Sequence, residues 1–255
     1  MKTRLTLILV LLIYIGAASH THAQQKKVIK TMMIAGQDGS HYWHCLLYTS
    51  DAADEYGGGV VVIHSSVVPM ADWKEYNEII GMGAWDGRNE KDGPYLYWKD
   101  GQYVYDYSPG YAGYHGLQHE TVIEHRAPHH PILQGLPPQR KHFKDEIYTR
   151  LRGPVRNMEI LATAYERGRH EPLMWTVSYG KGRIFVDLLG HCGNDPNMTY
   201  SMRCTGFQVT LLRGCEWAAT GAVTQEVPTD FPLKDTYTLR PEFKAPLHAY
   251  PETKH

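Results

Sequence analysis

The hydrophobic positions fall into short blocks, and the spacing inside each block indicates what it forms. Val60–Ile63 is a continuous β-branched run, the pattern of a strand covered on both faces, as in a parallel sheet. Val28–Ala35 reads as an earlier strand ending in a Gly turn. Asp72–Ile80 reads as a short helix with Trp73, Tyr76 and Ile80 on one face. Pro94–Tyr107 alternates on either side of Lys99-Asp100-Gly101, which predicts a hairpin. His119–His125 reads as a strand, and His130–Pro137 as a loop with an apolar plug. Met158–Tyr165, Glu171–Gly180 and Gly182–His191 supply three more strands. A last helix starts at Thr205, where Thr205 and Gln208 fit a capping box. Phe207, Leu211, Cys215 and Ala218 would line its inner face. From Val223 the Pro-containing tail reads as an extended arm over the surface or a loose end.

Strands, helices and a hairpin in this order predict an α/β sheet with added antiparallel pieces. One stretch disagrees. Parallel neighbours need a crossover, and a βαβ unit takes roughly 30 residues or more. Only 24 residues separate Ala35 from Val60, and they carry no clear amphipathic helix. Within them, CLLYTSDAADE (Cys45–Glu55) fits neither neighbour. It resembles a translation of the transposase-end adapter DNA used in sequencing libraries. The expectation is that adapter sequence replaces a deleted coding segment, that Cys45 has no functional meaning, and that the sheet shows a gap or a makeshift pairing there.

Composition changes the picture little. Hydrophobic residues at 42% and charged residues at 21% suit a chain that buries a core. A formal net charge of −1 gives no broad attraction to nucleic acid or anionic membrane. Tyr outnumbers Phe 18 to 5, which fits either a surface that meets hydroxyl-rich ligands or simply a Tyr-rich core. At the N-terminus, Lys2 and Arg4 precede the apolar run Leu5–Ile15, too short for a membrane span. Thr21-His22-Ala23 then resembles a cleavage site. Residues 1–23 are therefore expected to be a signal peptide, and the mature chain to be exported, periplasmic or secreted. Besides Cys45, the cysteines are Cys192, Cys204 and Cys215, too few for a disulfide framework. Cys192 could pair with Cys204, or both could be buried thiols.

From Val28 to Val223 the chain resembles ThuA-like (trehalose-utilisation) proteins of the kind Bacteroidetes export. The matching stretches are GGGVVVIH, WKEYNEIIGMGAWDGRNEKDGPYLYWKDG, HPILQGLP, KDEIYTRLRGP, RHEPLMWTVSYGKGRIFVDLLGH and GFQVTLLRGCEWAATG. The resemblance implies a class I glutamine amidotransferase-like (flavodoxin-like) three-layer α/β sandwich over residues 24–222, with 223–255 a C-terminal extension. It also implies that two crossover units, about 60 residues, are missing before GGGVVVIH.

In open α/β sheets, ligands bind beyond the carboxyl ends of the strands. His64 and His191 each close a strand. Gln37 and His41 follow the first strand, and His115, His119 and Glu120 lead into another. Glutamine amidotransferases of this fold need a Cys nucleophile after the strand that here ends in His64-Ser65, so that activity is excluded. Ser65 lacks the Gly-x-Ser-x-Gly elbow of a serine nucleophile. His64, His119 and His191 could converge on a divalent metal, zinc first, with Glu120 or Asp145 as an oxygen ligand or base. Equally, the histidines could act as acids and bases without metal. Asp145 and Glu146 are adjacent, so only one can enter the site. The resemblance makes Glu146 and Tyr148 part of a pocket wall; a loop cap is the alternative. His170 suits a rim or a solvated loop. Trp85, Arg88 and Asn89 suit either a sugar ring or a structural lid.

The expected catalytic set is thus His64, His119, Glu146 and His191. The expected substrate contacts are Gln37, His41, Trp85, Arg88, Asn89, His115, Tyr148 and His170. The family association points to an enzyme acting on a keto-sugar or disaccharide by His-assisted or metal-assisted chemistry, as a hydrolase, lyase or isomerase. The alternative is a non-catalytic sugar-binding accessory protein. The expected partner is a small carbohydrate, with no nucleic acid and, after signal cleavage, no membrane; a homo-oligomer is compatible.

Overall fold

A computed structural model describes residues 31–35, 57–191 and 200–241 of the chain. The strands are β1 (Thr31–Ala35), β2 (Gly59–Ile63), β3 (Tyr95–Lys99), β4 (Gln102–Asp106), β5 (His119–His125), β6 (Gln139–Asp145), β7 (Met158–Glu166), β8 (Arg169–Tyr179) and β9 (Gly182–Asp187). A 3-10 turn covers His64–Val67, and the helices are α1 (Lys74–Ile80), α2 (Tyr200–Arg203) and α3 (Thr205–Thr220). The strands form one mixed sheet in the order β1-β2-β9-β8-β7-β5-β6, with the β3–β4 hairpin attached to β8. β1, β2 and β9 run parallel. From β9 outward every pairing is antiparallel.

Two side-chain contacts put a helix on each face of this sheet. Phe185 of β9 lies against Gly214 of α3. Its neighbour Val186 points the opposite way and pairs across to Trp175 of β8. The Trp175 indole N–H donates to the carbonyl of Ile80, the last residue of α1, at 2.8 Å. The result is α1, sheet, α3: the expected three-layer mixed α/β arrangement, rich in strand. Val60 to Val62, Phe185 and Val186 are almost fully buried between the layers. Gly59 and Gly214 let α3 approach closely. A Cβ on Gly59 would sit 2.4 Å from the backbone of Ala218, and one on Gly214 would sit 2.1 Å from the Phe185 ring.

Several elements form where the sequence places them. The hairpin turns at Asp100-Gly101 with φ of 49° and 83°, the twist-matched turn that Asp-Gly favours. The 130–137 loop plugs the core with Ile132, Leu133 and Leu136. Three expectations change. The capping box on α3 is not made: Cys204 is the N-cap, Thr205 bonds Asp230, and Gln208 bonds the Met202 carbonyl. The inner stripe of α3 runs through Phe207, Thr210, Gly214 and Ala218, while Leu211 and Cys215 are only half-buried. Finally, of the two outcomes expected before β2, a gap or a makeshift pairing, the gap is absent among the described residues: β1 pairs with β2 in parallel over five residues. The adapter-like stretch 45–55 and the signal segment 1–23 lie outside the described residues.

The tail is an arm, as far as residue 241. The Lys141 N–H of edge strand β6 donates to Leu233, and the Thr205 N–H at the start of α3 donates to Thr238. Phe231, within the arm, is buried. Residues 242–255 lie outside the described residues. Cys204 and Cys215 are free thiols, and Cys192 lies outside the described residues. Among the described residues no helix is long and apolar enough to cross a membrane.

Two outcomes follow for stability. Gly214→Ala adds a methyl into the Phe185 ring, and should destabilise by about 1–3 kcal/mol in urea unfolding despite the better helix propensity of Ala. His125 on β5 is buried beside Arg140, and burial first, then that positive charge, pushes its pKa from 6.5 down to about 3. Its folded pKa is therefore below its unfolded one. Above about pH 6.5 it is neutral in both states; as pH falls below that, only the unfolded chain takes up the proton. Stability should fall by up to about 1.4 kcal/mol per pH unit from this group, and unfolding of His125→Leu should lack that slope.

Candidate functional site

The parallel strands β2 and β9 end side by side, Ile63 opposite Asp187. That register brings together the residues that follow each strand. His64 comes directly after β2, in left-handed backbone with φ 47°. For a residue with a Cβ this conformation costs roughly 1–2 kcal/mol, and such strain collects at functional sites. It turns the imidazole into the cleft beyond the strand ends. The Leu188 carbonyl, just past β9, accepts a bond from His64 Nδ1 at 2.8 Å. That leaves Nε2 with its lone pair facing His191 Nδ1 at 3.1 Å. Glu146, one residue past β6, completes the group: its Oε2 lies 3.1 Å from His191 Nδ1 and 3.7 Å from His64 Nε2. Among the described residues these three donors are the group placed to hold a metal ion.

Asp145 holds this triangle from behind. It is fully buried. Its Oδ1 accepts the backbone N–H of Glu146 at 2.8 Å and of His191 at 3.1 Å. Its Oδ2 accepts the Gly190 N–H at 2.8 Å and His142 Nε2 at 2.9 Å. Burial disfavours the charged imidazole of His142, but the Asp145 carboxylate outweighs it and raises the pKa to about 9. Burial likewise opposes ionisation of Asp145, yet His142 and the backbone donors keep its pKa below the usual value. Asp187 shapes the β9 end by accepting the Leu189 N–H at 3.0 Å, and burial pushes its pKa up to about 6.

The triangle is electrostatically coupled. The neighbouring imidazole of His64, with those of His191 and His115, holds the Glu146 carboxyl below its ordinary range, against partial burial. Burial acts to lower the His64 pKa, but Glu146, the Asp145 charge and the Leu188 carbonyl together raise it. Aromatic rings wall the cleft. Tyr148 lies on His64 with centroids 4.6 Å apart, Trp85 meets Tyr148 edge-on at 4.8 Å, and His115 stands 5.8 Å from Tyr148. Burial pushes the Tyr148 phenol up, so it stays neutral.

The sequence candidates separate on these distances. His64, Glu146 and His191 come together, with Trp85, His115 and Tyr148 around them. His119 does not join: its Nε2 is bonded to Glu166 at 2.7 Å, and its side chain is 44% exposed. The carboxylate that joins the two histidines is Glu146; Glu120 instead pairs with Lys141 on the surface. Arg88 is buried and is committed to the loop: it donates to Asn77 Oδ1 and to the carbonyls of Val68, Pro69 and Ala84. Asn89 closes its own turn with Gly87, Lys91 and Asp92. Both side chains are engaged in holding their own loop together. His170 sits in β8 against Tyr165, away from the triangle. Gln37 and His41 lie outside the described residues. Sequence reasoning missed His142, Asp187 and the Leu188 carbonyl, whose roles depend on tertiary contacts alone.

Replacing Asp145 by Asn should leave His142 without its counter-charge. Removing one partner of a buried ion pair costs about 3–5 kcal/mol, to be read from urea unfolding near neutral pH.

The chain was compared with known proteins. The family model for ThuA, trehalose utilisation, matches residues 51–218. A crystal structure of a ThuA-like protein from Parabacteroides merdae is 46% identical, with a TM-score of 0.74, covering 82% of this chain and 77% of that one. A ThuA-like protein from Bacteroides uniformis is 13% identical, with a TM-score of 0.44, covering 76% and 71%. A cytoplasmic protein from Salmonella typhimurium is 12% identical, with a TM-score of 0.44, covering 74% and 72%. No curated protein matches. On the extent of the family match and the identity to the Parabacteroides structure, the chain belongs to the ThuA family.

Proposed function

We propose that this protein is an enzyme acting on a keto-sugar or disaccharide, with a divalent cation, zinc first, held by His64, Glu146 and His191. One observation carries the metal reading. Zinc bonds to nitrogen and oxygen of about 2.0–2.1 Å put the ligand atoms of a tetrahedral site roughly 3.3 Å apart. The three donor separations, 3.1, 3.1 and 3.7 Å, bracket that edge. The supporting shell fits too. The Nδ1 bond to Leu188 fixes the His64 tautomer, as the outer partners of metal-bound histidines do. Three protein donors leave one position open to the cleft.

The carbohydrate reading rests on the family's description, trehalose utilisation, and on the cleft walls. Trp85 and Tyr148 offer ring faces and edges for a sugar. A bound cation would supply Lewis acidity for a sugar carbonyl. The chain's own residues do the rest. Tyr148, neutral and buried, orients the sugar against His64. His115, exposed at the rim, is placed to carry a proton between substrate and solvent. Without a cation, the raised pKa of His64 suits it to act as an acid next to Glu146. The N-terminal segment supports an exported location for the mature chain.

Zinc titration monitored by calorimetry should give one site per chain. His64→Ala and His191→Ala should each weaken it by more than the roughly 10–100-fold that an outer-shell partner is worth, with the fold retained. Turnover of a 3-keto-disaccharide should fall in parallel. Binding of zinc and sugar without turnover would favour the accessory reading, and zinc affinity unchanged in both variants would reject the metal site.

A further inference from the structure

A second, cationic pocket stands next to the cleft. It has a volume of about 480 Å³ and is lined by Thr149, Arg150, Arg167, Arg169 and Glu171. Three guanidinium groups face one carboxylate, and that carboxylate is already engaged. Glu171 is buried, accepts Arg169 Nε at 2.6 Å, and accepts the Arg150 backbone N–H at 3.3 Å. Among the described residues, neither Arg150 nor Arg167 has a carboxylate within ion-pair distance. Both instead rest against the ring of Tyr114, at 5.7 and 4.3 Å. Both side chains are exposed, and contact with the ring narrows the positions open to the two forks.

The backbone is arranged at a cost to present them. Arg150 and Arg167 both have left-handed φ, 57° and 51°. Arg167-Gly168 forms the β7–β8 turn with both φ positive, the same turn type as Asp100-Gly101. Asp, Asn or Gly is the favoured residue at the first position, and the β3–β4 hairpin uses Asp there. The β7–β8 hairpin puts an arginine in that place, facing the pocket.

The pocket shares its backbone with the proposed active site. Tyr114 and Thr149 form an antiparallel bridge, with mutual N–H···O bonds of 3.0 and 2.8 Å. On one side of this ribbon, Tyr114 and Thr149 meet the arginines. On the other, the adjacent His115 and Tyr148 wall the cleft.

We propose that Arg150 and Arg167, with Tyr114 behind them, form a subsite for the oxyanion of an acidic saccharide, a uronate carboxylate or a sulfate ester. Paired arginine forks are the side chains suited to such groups. The proposal rests on the carbohydrate reading above and narrows it to acidic oligosaccharides.

The test is calorimetric titration of the folded protein with three probes: a glucuronate-containing disaccharide, the neutral disaccharide of the same linkage, and inorganic sulfate. The acidic disaccharide should bind at least about ten-fold more tightly than the neutral one, and the gap should close in about 0.5 M NaCl. Arg150→Gln/Arg167→Gln should abolish the preference while leaving zinc affinity and neutral-sugar affinity unchanged; each single variant should reduce it. Equal affinity for the two disaccharides in the unaltered protein, or a preference that survives the double variant, overturns the subsite alone. Sulfate binding as tightly as the acidic disaccharide overturns the saccharide assignment in favour of a free-anion site. If neither disaccharide binds, the carbohydrate reading falls together with the subsite.

Discussion

The buried carboxylate of Asp145 is the constraint on which the site depends. Its two oxygens accept four hydrogen bonds, from the backbones of residues 146, 190 and 191 and from His142. Glu146 and His191 come from strands that are not neighbours: β6 lies at one end of the sheet, and β9 stands four places away. A charge in this interior is tolerated only when fully bonded. The same requirement that keeps Asp145 satisfied therefore fixes where two of the three triangle members can be. The third, His64, is fixed by the β2–β9 register and by its bond to Leu188.

Left-handed backbone recurs around the cleft and the cationic pocket. His64, Trp85, Arg150 and Arg167 all occupy left-handed backbone. His64 is held by Leu188 and Tyr148, and Trp85 by the Ala112 carbonyl and the Tyr148 and His115 rings, which is the condition for such strain to persist. The hydrophobic layers formed by β2, β8 and β9 between α1 and α3 supply the rigidity. Trp175, wholly buried and bonded to the end of α1, locks one helix to the sheet, while Gly59 and Gly214 admit the other.

Much of this was legible in the sequence, for identifiable reasons. Val60–Ile63 and the Asp-Gly hairpin announce themselves through periodicity and turn chemistry. Adjacent carboxylates imply that only one of Asp145 and Glu146 can face the cleft. β6 was invisible because its buried positions are Arg140, His142 and Asp145, so no apolar alternation marks it. His119 looked like a ligand because it leads into a strand; its backbone does pair opposite Asp145, yet its side chain is bonded to Glu166. Arg88 looked like a ligand group because a guanidinium fork suits sugars, but four acceptors in its own neighbourhood occupy it. Side-chain destination, unlike strand periodicity, is set by neighbours distant in sequence.

The arm over residues 223–241 closes two openings at once: the free edge of β6 and the first amide of α3. A single proteolytic nick in that segment would therefore expose a strand edge and unravel a helix start in the same event. Resistance to edge-to-edge polymerisation is thus assigned to a segment remote from the His64–Glu146–His191 triangle in sequence, which ties the solubility of the protein to the integrity of its tail.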